Sequence, residues 1–109
     1  MYCIEDIRKV NSEENIIVTL HGHLRLVERN ITIDDIVRAI ETGQIIEQYP
    51  KDYPFQSCLV LGQSVLQKYL HVVVSLDENK IYLITAYFPS SDKWEGDMKT
   101  RRRNQDEMH

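Results

Sequence analysis

The hydrophobic period of this sequence changes once, at Gly43, and that change constrains the fold more than any other feature. Before it, Ile33, Ile36, Val37 and Ile40 recur at i, i+3, i+4 and i+7, the stripe of an amphipathic helix. Beyond it, Ile45-Ile46-Glu47-Gln48-Tyr49, Ser57-Cys58-Leu59-Val60-Leu61-Gly62 and the run from Tyr69 to Leu76 read as strands. Helices gathered ahead of strands predict an α+β fold, with two or three N-terminal helices packed on a curved antiparallel sheet of about four strands.

The helix ends carry their own signals. Ile4, Ile7 and Val10 lie three apart and predict a short helix closed at Asn11, set as a lid on the core. Asn15 to Val18 is a brief extended stretch. Thr19 can accept a hydrogen bond from a free first-turn amide, so it caps a second helix that runs to Arg29. At about 100° per residue, Leu20, Leu24 and Val27 align as that helix's buried stripe. Asn30 tolerates a left-handed stop, with Ile31 folding back on Val27. Thr32 opens the third helix, Asp34 and Asp35 face the positive end of its dipole, and Gly43 terminates it.

Pro50 and Pro54 halt the first strand, and Lys51 to Gln56 form a loop. Tyr69 to Leu76 and Lys80 to Phe88 flank Asp77-Glu78-Asn79 as a hairpin. With Leu76 opposite Ile81, strict alternation puts Leu70, Val72, Val74, Leu83, Thr85 and Tyr87 on the helix-packing face. His71, Val73, Ser75, Tyr82, Ile84, Ala86 and Phe88 then share the other face. Most tyrosines read as sheet cover. Pro89 to Asp92 end the sheet, Trp94 gives the next segment its apolar anchor, and residues 93–109 are a short basic segment, partly flexible, whose Arg-rich tail is expected to fray.

At 109 residues, with 42% hydrophobic and 28% charged, the chain has the size and balance of one globular domain, 1–109. The start is acidic and no apolar run nears the roughly 20 residues that cross a bilayer, so a cytoplasmic protein away from membranes is expected. Cys3 and Cys58 form no Cys-x-x-Cys unit and read as reduced thiols. A net charge of -4 argues against a surface basic everywhere, yet Lys93, Lys99, Arg101, Arg102 and Arg103 stand against only Glu95 and Asp97.

On the second helix His21, Arg25 and Arg29 repeat at i, i+4 and i+8, so two guanidiniums and an imidazole point one way. Such a stripe wants an anionic partner: the protein's own Glu28, Asp34, Asp35 or Glu47, or phosphates from outside. His71 lies mid-strand, where an imidazole suits either general acid–base work or a hydrogen-bonded structural role. No His, Cys or carboxylate spacing matches a metal pattern, so neither metal nor cofactor is expected.

The run from His21-Gly22-His23-Leu24-Arg25 to Asn30-Ile31, then Ile36 to Ile40, Gly43 to Pro50, Cys58 to Gly62, Leu70 to Val74, Ile84 to Pro89, Trp94 and Lys99 to Arg102 resembles the bacterial family known as domain of unknown function 4258. The likeness spans Thr19 to Arg102. That family is similar in architecture to the small RelE-like and BrnT-like toxins, which are metal-independent ribonucleases. Some members are encoded beside zinc-finger antitoxins of the MqsA type. The resemblance implies a toxin role for part of the family but supplies no catalytic set.

The leading expectation is a toxin-like, metal-independent endoribonuclease. His71 or His21 would serve as acid or base, Arg25 and Arg29 as phosphate clamp, and Tyr87 as an orienting hydroxyl or stacking surface. Strict alternation turns Tyr87 away from His71, which weighs against that constellation. Lys99, Arg101, Arg102 and Arg103 would touch the RNA backbone. The expected partners are RNA and a zinc-finger antitoxin, and an unpaired sheet edge leaves room for a homodimer. The alternative is a non-enzymatic protein-interaction module. A hydrolase built on His71 and Ser75 has little support, since residues four apart on a strand are too distant for a direct hydrogen bond.

Overall fold

Helix α3 (Ile33–Thr42) forms where the strongest apolar stripe meets the best cap. In the computed structural model, which describes residues 1–53 and 55–102, the Asp35 amide donates to Thr32 Oγ1 at 3.1 Å and the Thr32 amide donates to the Asp35 carboxylate at 2.9 Å. This reciprocal pair satisfies two free amides of the first turn. The helix buries Ile36, Ala39 and Ile40 against the sheet. Gly43 ends α3 in extended rather than left-handed backbone. Its role is close approach. A Cβ there would lie 2.4 Å from the Ala39 carbonyl oxygen, and one on Gly62 only 1.9 Å from it, so the two glycines let the α3 backbone rest on strand β3 (Ser57–Gln63).

Before α3 come α1 (Ile4–Arg8), β1 (Ile16–Val18) and α2 (Leu20–Glu28). After it run β2 (Gln44–Tyr49), β3, β4 (Tyr69–Asp77) and β5 (Lys80–Tyr87). The fold is α+β as expected, but the sheet has five strands in the order β1-β5-β4-β3-β2, and β1 pairs in parallel with β5. The expectation of about four antiparallel strands is corrected by Ile16–Val18. Three residues are too few to reveal a period, and their partner, Ile81–Leu83, lies at the far end of the sequence. Helix α1 buries Ile7, and Arg8 donates to the Ile40 carbonyl at 3.1 Å and to the Gly43 carbonyl, satisfying free acceptors at the C-terminus of α3.

Thr19 caps α2 by accepting from the Gly22 amide at 3.0 Å. The helix stops through Asn30, at φ 58°, with the Asn30 amide donating to the Val27 carbonyl and the Ile31 amide to the Leu26 carbonyl. This is a Schellman stop. Ile31 and Leu26 are both buried, so the fold-back partner is Leu26 and not Val27. The expected buried stripe is likewise corrected: Leu20, Leu24 and Val27 are 77%, 52% and 61% exposed. The cap and the stop turn Gly22 and Leu26 toward β5, while α3 takes the centre of the sheet.

The hairpin keeps its expected start, with Leu76 opposite Ile81 and Asp77 opposite Lys80. Alternation then fails. Val74 pairs with Leu83, but Val73 pairs with Thr85, so Ile84 is squeezed out as a β-bulge. Every later β5 residue changes face. Ala86 enters the core with Leu70, Val72, Val74, Cys58 and Val60, and Tyr87 crosses to the side of its partner His71. Burial pushes the Cys58 thiol up to about 12, and Cys3 is exposed; neither is in a disulfide. Among the described residues no helix is long and apolar enough to cross a membrane.

Candidate functional site

On the sheet face away from the helices, Glu47 and Tyr49 of β2, Leu59 and Leu61 of β3, His71 of β4 and Tyr87 of β5 stand together. Residues 93–102 fold over them as a strap. Trp94 bridges to Arg101, the Glu95 amide donates to the Thr100 carbonyl at 2.7 Å, and the Arg102 amide donates to the Lys93 carbonyl at 2.8 Å. Asp97 ties the turn by accepting from the Lys99 and Thr100 amides, each at 3.0 Å, and these amides hold its carboxyl below the usual carboxylate range. Residues 93–102 form this hairpin with Trp94 buried as its anchor, and the remainder of the Arg-rich tail, residues 103–109 with Arg103 among them, lies outside the described residues.

His71 is fully buried, with Trp94 edge-on at 4.4 Å between ring centroids. Its Nε2 lies 2.6 Å from the Met98 carbonyl, which can only accept, so Nε2 carries the proton. Nδ1 is then the acceptor for the Tyr87 hydroxyl at 3.2 Å. Burial holds the His71 pKa below its ordinary 6.5, against the opposing pull of the Met98 carbonyl and the Glu47 charge. Burial also raises the Tyr87 pKa, so its phenol stays protonated. The bulge thus brings His71 and Tyr87 together, and both ring nitrogens of His71 are engaged inside the protein.

Arg101 meets Glu47 through two bonds, Nε to Oε2 at 2.8 Å and Nη2 to Oε1 at 3.0 Å, and lies 4.7 Å over the Trp94 ring. That fork holds Glu47 below its normal pKa. The Tyr49 hydroxyl also donates to Glu47, and burial together with this carboxylate pushes the phenol up to about 12. Glu47 therefore neutralises Arg101, not the cations of α2.

Those cations face a groove along the open edge of β5, beyond the end of β1. One concavity, of about 230 Å³, is lined by His21 and Arg25 with Thr19, Ile84 and Thr85. The next, of about 440 Å³, is lined by Arg29, Tyr87, Phe88, Lys93, Trp94 and Arg101. Arg29 sits between them, its Nη1 donating to Thr85 Oγ1 at 3.2 Å and to the Ala86 carbonyl at 2.8 Å. Among the described residues Arg25, Arg29 and Lys93 form no ion pair. Asp35, an expected counter-ion, is spent on the Thr32 cap and the Val65 amide.

The structure gathers His21, Arg25, Arg29 and Tyr87 along this groove and sets His71 behind Tyr87, under the strap. Of the strap cations, Lys99 is exposed, Arg101 is held by Glu47, and Arg102 pairs with Glu95 at 3.2 Å. Ser75 donates to the Gln56 carbonyl at 2.8 Å. Among the described residues no group of His, Cys, Asp and Glu is gathered to hold a metal ion. Sequence reasoning missed Thr85, which orients Arg29, and Lys93 as a groove residue. Lys93 was legible as part of the basic surplus, whereas nothing in the sequence marks the bulge that turns Thr85.

Residues 18–88 match the family described as Domain of unknown function (DUF4258). The chain belongs to that family. In this DUF4258 domain the matched span holds α2, α3 and β2 to β5, and with them His21, Arg25, Arg29, His71 and Tyr87; the strap lies C-terminal to it. No curated protein and no solved structure matches the chain.

Proposed function

We propose that this DUF4258 domain is a toxin-like, metal-independent endoribonuclease of RelE-like architecture that holds an RNA strand in the groove between α2 and the strap. The observation that carries the reading is the set of cations without an ion pair among the described residues, Arg25, Arg29 and Lys93, along two neighbouring concavities. Unpaired guanidiniums along a cleft favour a polyanion, and three such contacts suit successive phosphates. In cleavage, the 2′-hydroxyl attacks the adjacent phosphorus and the bond to the 5′-oxygen breaks, leaving a 2′,3′-cyclic phosphate. His21, exposed on the groove wall, takes the 2′ proton, and Arg25 and Arg29 offset the charge gathering on the phosphate. Water protonates the departing 5′-oxygen, and the Tyr87 phenol, whose one proton is held by His71 Nδ1, offers its ring as a stacking surface. His71, which accepts from that phenol, is a positioning residue.

The test is incubation of the purified protein with single-stranded RNA in chelator across about pH 5 to 9. Cleavage that falls about 100-fold or more in Arg25→Ala/Arg29→Ala is the expected result. Three phosphate contacts on a single strand predict a binding loss of about 20-fold between 50 and 200 mM salt. RNA left intact at every pH would refute the reading.

The exposed stripe of Leu20, Leu24 and Val27 favours a second reading, a protein-interaction module. A partner such as a zinc-finger antitoxin, seated on this stripe, would also screen the groove. A complex with a partner protein that persists in high salt, with no RNA binding, would support this reading over the first.

A further inference from the structure

We infer that the Tyr87 phenol is a phosphate contact gated by the proton of His71, so that an anion in the groove binds tighter when His71 is protonated and draws a proton onto that ring; the inference rests on the RNA-binding reading of the same groove and names one further contact and what controls it. Tyr87 belongs to two places at once. It lines the concavity that holds Arg29 and Lys93, and its hydroxyl lies 3.2 Å from His71 Nδ1 under the strap.

A phenol has one proton, so the neighbour that takes it decides what the oxygen can offer elsewhere. The Met98 carbonyl, 2.6 Å from Nε2, can only accept and fixes the ring proton on that nitrogen. In the neutral ring Nδ1 is then a buried acceptor, and it holds the Tyr87 proton. To a phosphate the phenol presents lone pairs alone. Turning its proton outward would leave Nδ1 buried and unpaired, which is costly.

Protonation of His71 reverses the bond. Nε2 keeps the Met98 carbonyl, Nδ1 gains a hydrogen and donates to the Tyr87 oxygen, and the phenol proton is released toward an anion at Arg29 and Lys93. Glu47 is not its acceptor: among the described residues that carboxylate takes two bonds from Arg101 and one from the Tyr49 hydroxyl, and none from Tyr87. The surroundings of the ring leave its charge state open to such a bias. Burial comes first and favours the neutral form, Glu47 on β2 favours the imidazolium, and Arg101 on the strap opposes it. Strand β3 sets Leu61 beside the ring, β5 the uncharged Tyr87, and the strap the edge of Trp94.

The linkage is reciprocal, so one titration reads it twice. The probes are sulfate and 2′-O-methyl hexauridylate, which lacks the attacking hydroxyl; both keep a constant charge across about pH 5 to 8, where histidines titrate. Each is added at fixed ionic strength to the His21→Gln protein, which has no imidazole on the groove wall, while NMR follows the ring nitrogens of His71. Affinity is about tenfold higher below the His71 midpoint than above it, and a saturating probe moves that midpoint up by about one pH unit. The gain is present in acid and lost as pH rises through the midpoint of the bound form. Adding Tyr87→Phe keeps the ring, removes the hydroxyl and abolishes most of both effects. Charge attraction alone acts on both proteins alike, so equal shifts in the two, or a midpoint that the probes leave in place, would overturn the gate. Hexauridylate bound equally at every pH sinks the gate and spares the RNA groove. A midpoint raised by sulfate, with hexauridylate unbound, spares the gate and sinks the RNA reading; binding of neither probe sinks both.

Discussion

Truncating Trp94 to alanine asks whether the strap is a folded part of the molecule or a loose cover. Trp94 is 2% exposed, meets the His71 ring edge-on at 4.4 Å, and carries the Arg101 guanidinium 4.7 Å from its centroid. A buried tryptophan removes about 200 Å² from water, worth about 5 kcal/mol at about 25 cal/mol per Å². Residual compactness of the unfolded chain trims that by up to about 40%, to about 3 kcal/mol. Urea unfolding of Trp94→Ala should therefore show a loss of about 3 kcal/mol, and thermal unfolding a midpoint lowered by roughly 12–20 °C. A second readout separates the lid from general packing. Burial is the first cause holding the His71 pKa down, so opening the lid lets water reach the ring and moves its NMR titration up toward 6.5. A loss under about 1 kcal/mol with the His71 titration unmoved would refute the reasoning.

Gly62→Ala would set a Cβ 1.9 Å from the Ala39 carbonyl oxygen and force α3 off β3, a loss of about 3 kcal/mol or more; an unchanged midpoint in thermal unfolding would mean that the approach is not close. Thr32→Ala removes the hydroxyl half of the capping box and should lower stability by about 1 kcal/mol in urea titration, with no change counting against the cap. Stability should also fall as pH drops below about 6.5, by up to about 1.4 kcal/mol per pH unit. Acid favours unfolding here because the folded His71 pKa is depressed, so the unfolded chain takes up the proton first. A flat profile between about pH 7 and 5, above the carboxylate range, would contradict the buried neutral imidazole.

The parts of the molecule legible in the sequence are those governed by neighbours a few residues away. The stripe of α3, the Thr19 and Thr32 caps, the Asn30 stop and the Leu76–Ile81 hairpin start are fixed by local spacing and by first-turn amides that need an acceptor. So is the side shared by His21 and Arg25, one turn apart on α2, whereas Arg29 lies past the end of that helix and lines the next concavity. What the sequence left open depends on contacts between distant segments. The parallel seat of β1 on β5, the exposure of Leu20, Leu24 and Val27, and the pairing of Glu47 with Arg101 depend on how segments far apart in the sequence share the sheet. The bulge at Ile84 is the sharpest case. One unpaired residue reverses every side chain after it, and only the packing of the whole sheet determines where the strand absorbs it; that single choice sets Tyr87 on His71 and opens the hollow beside Arg25.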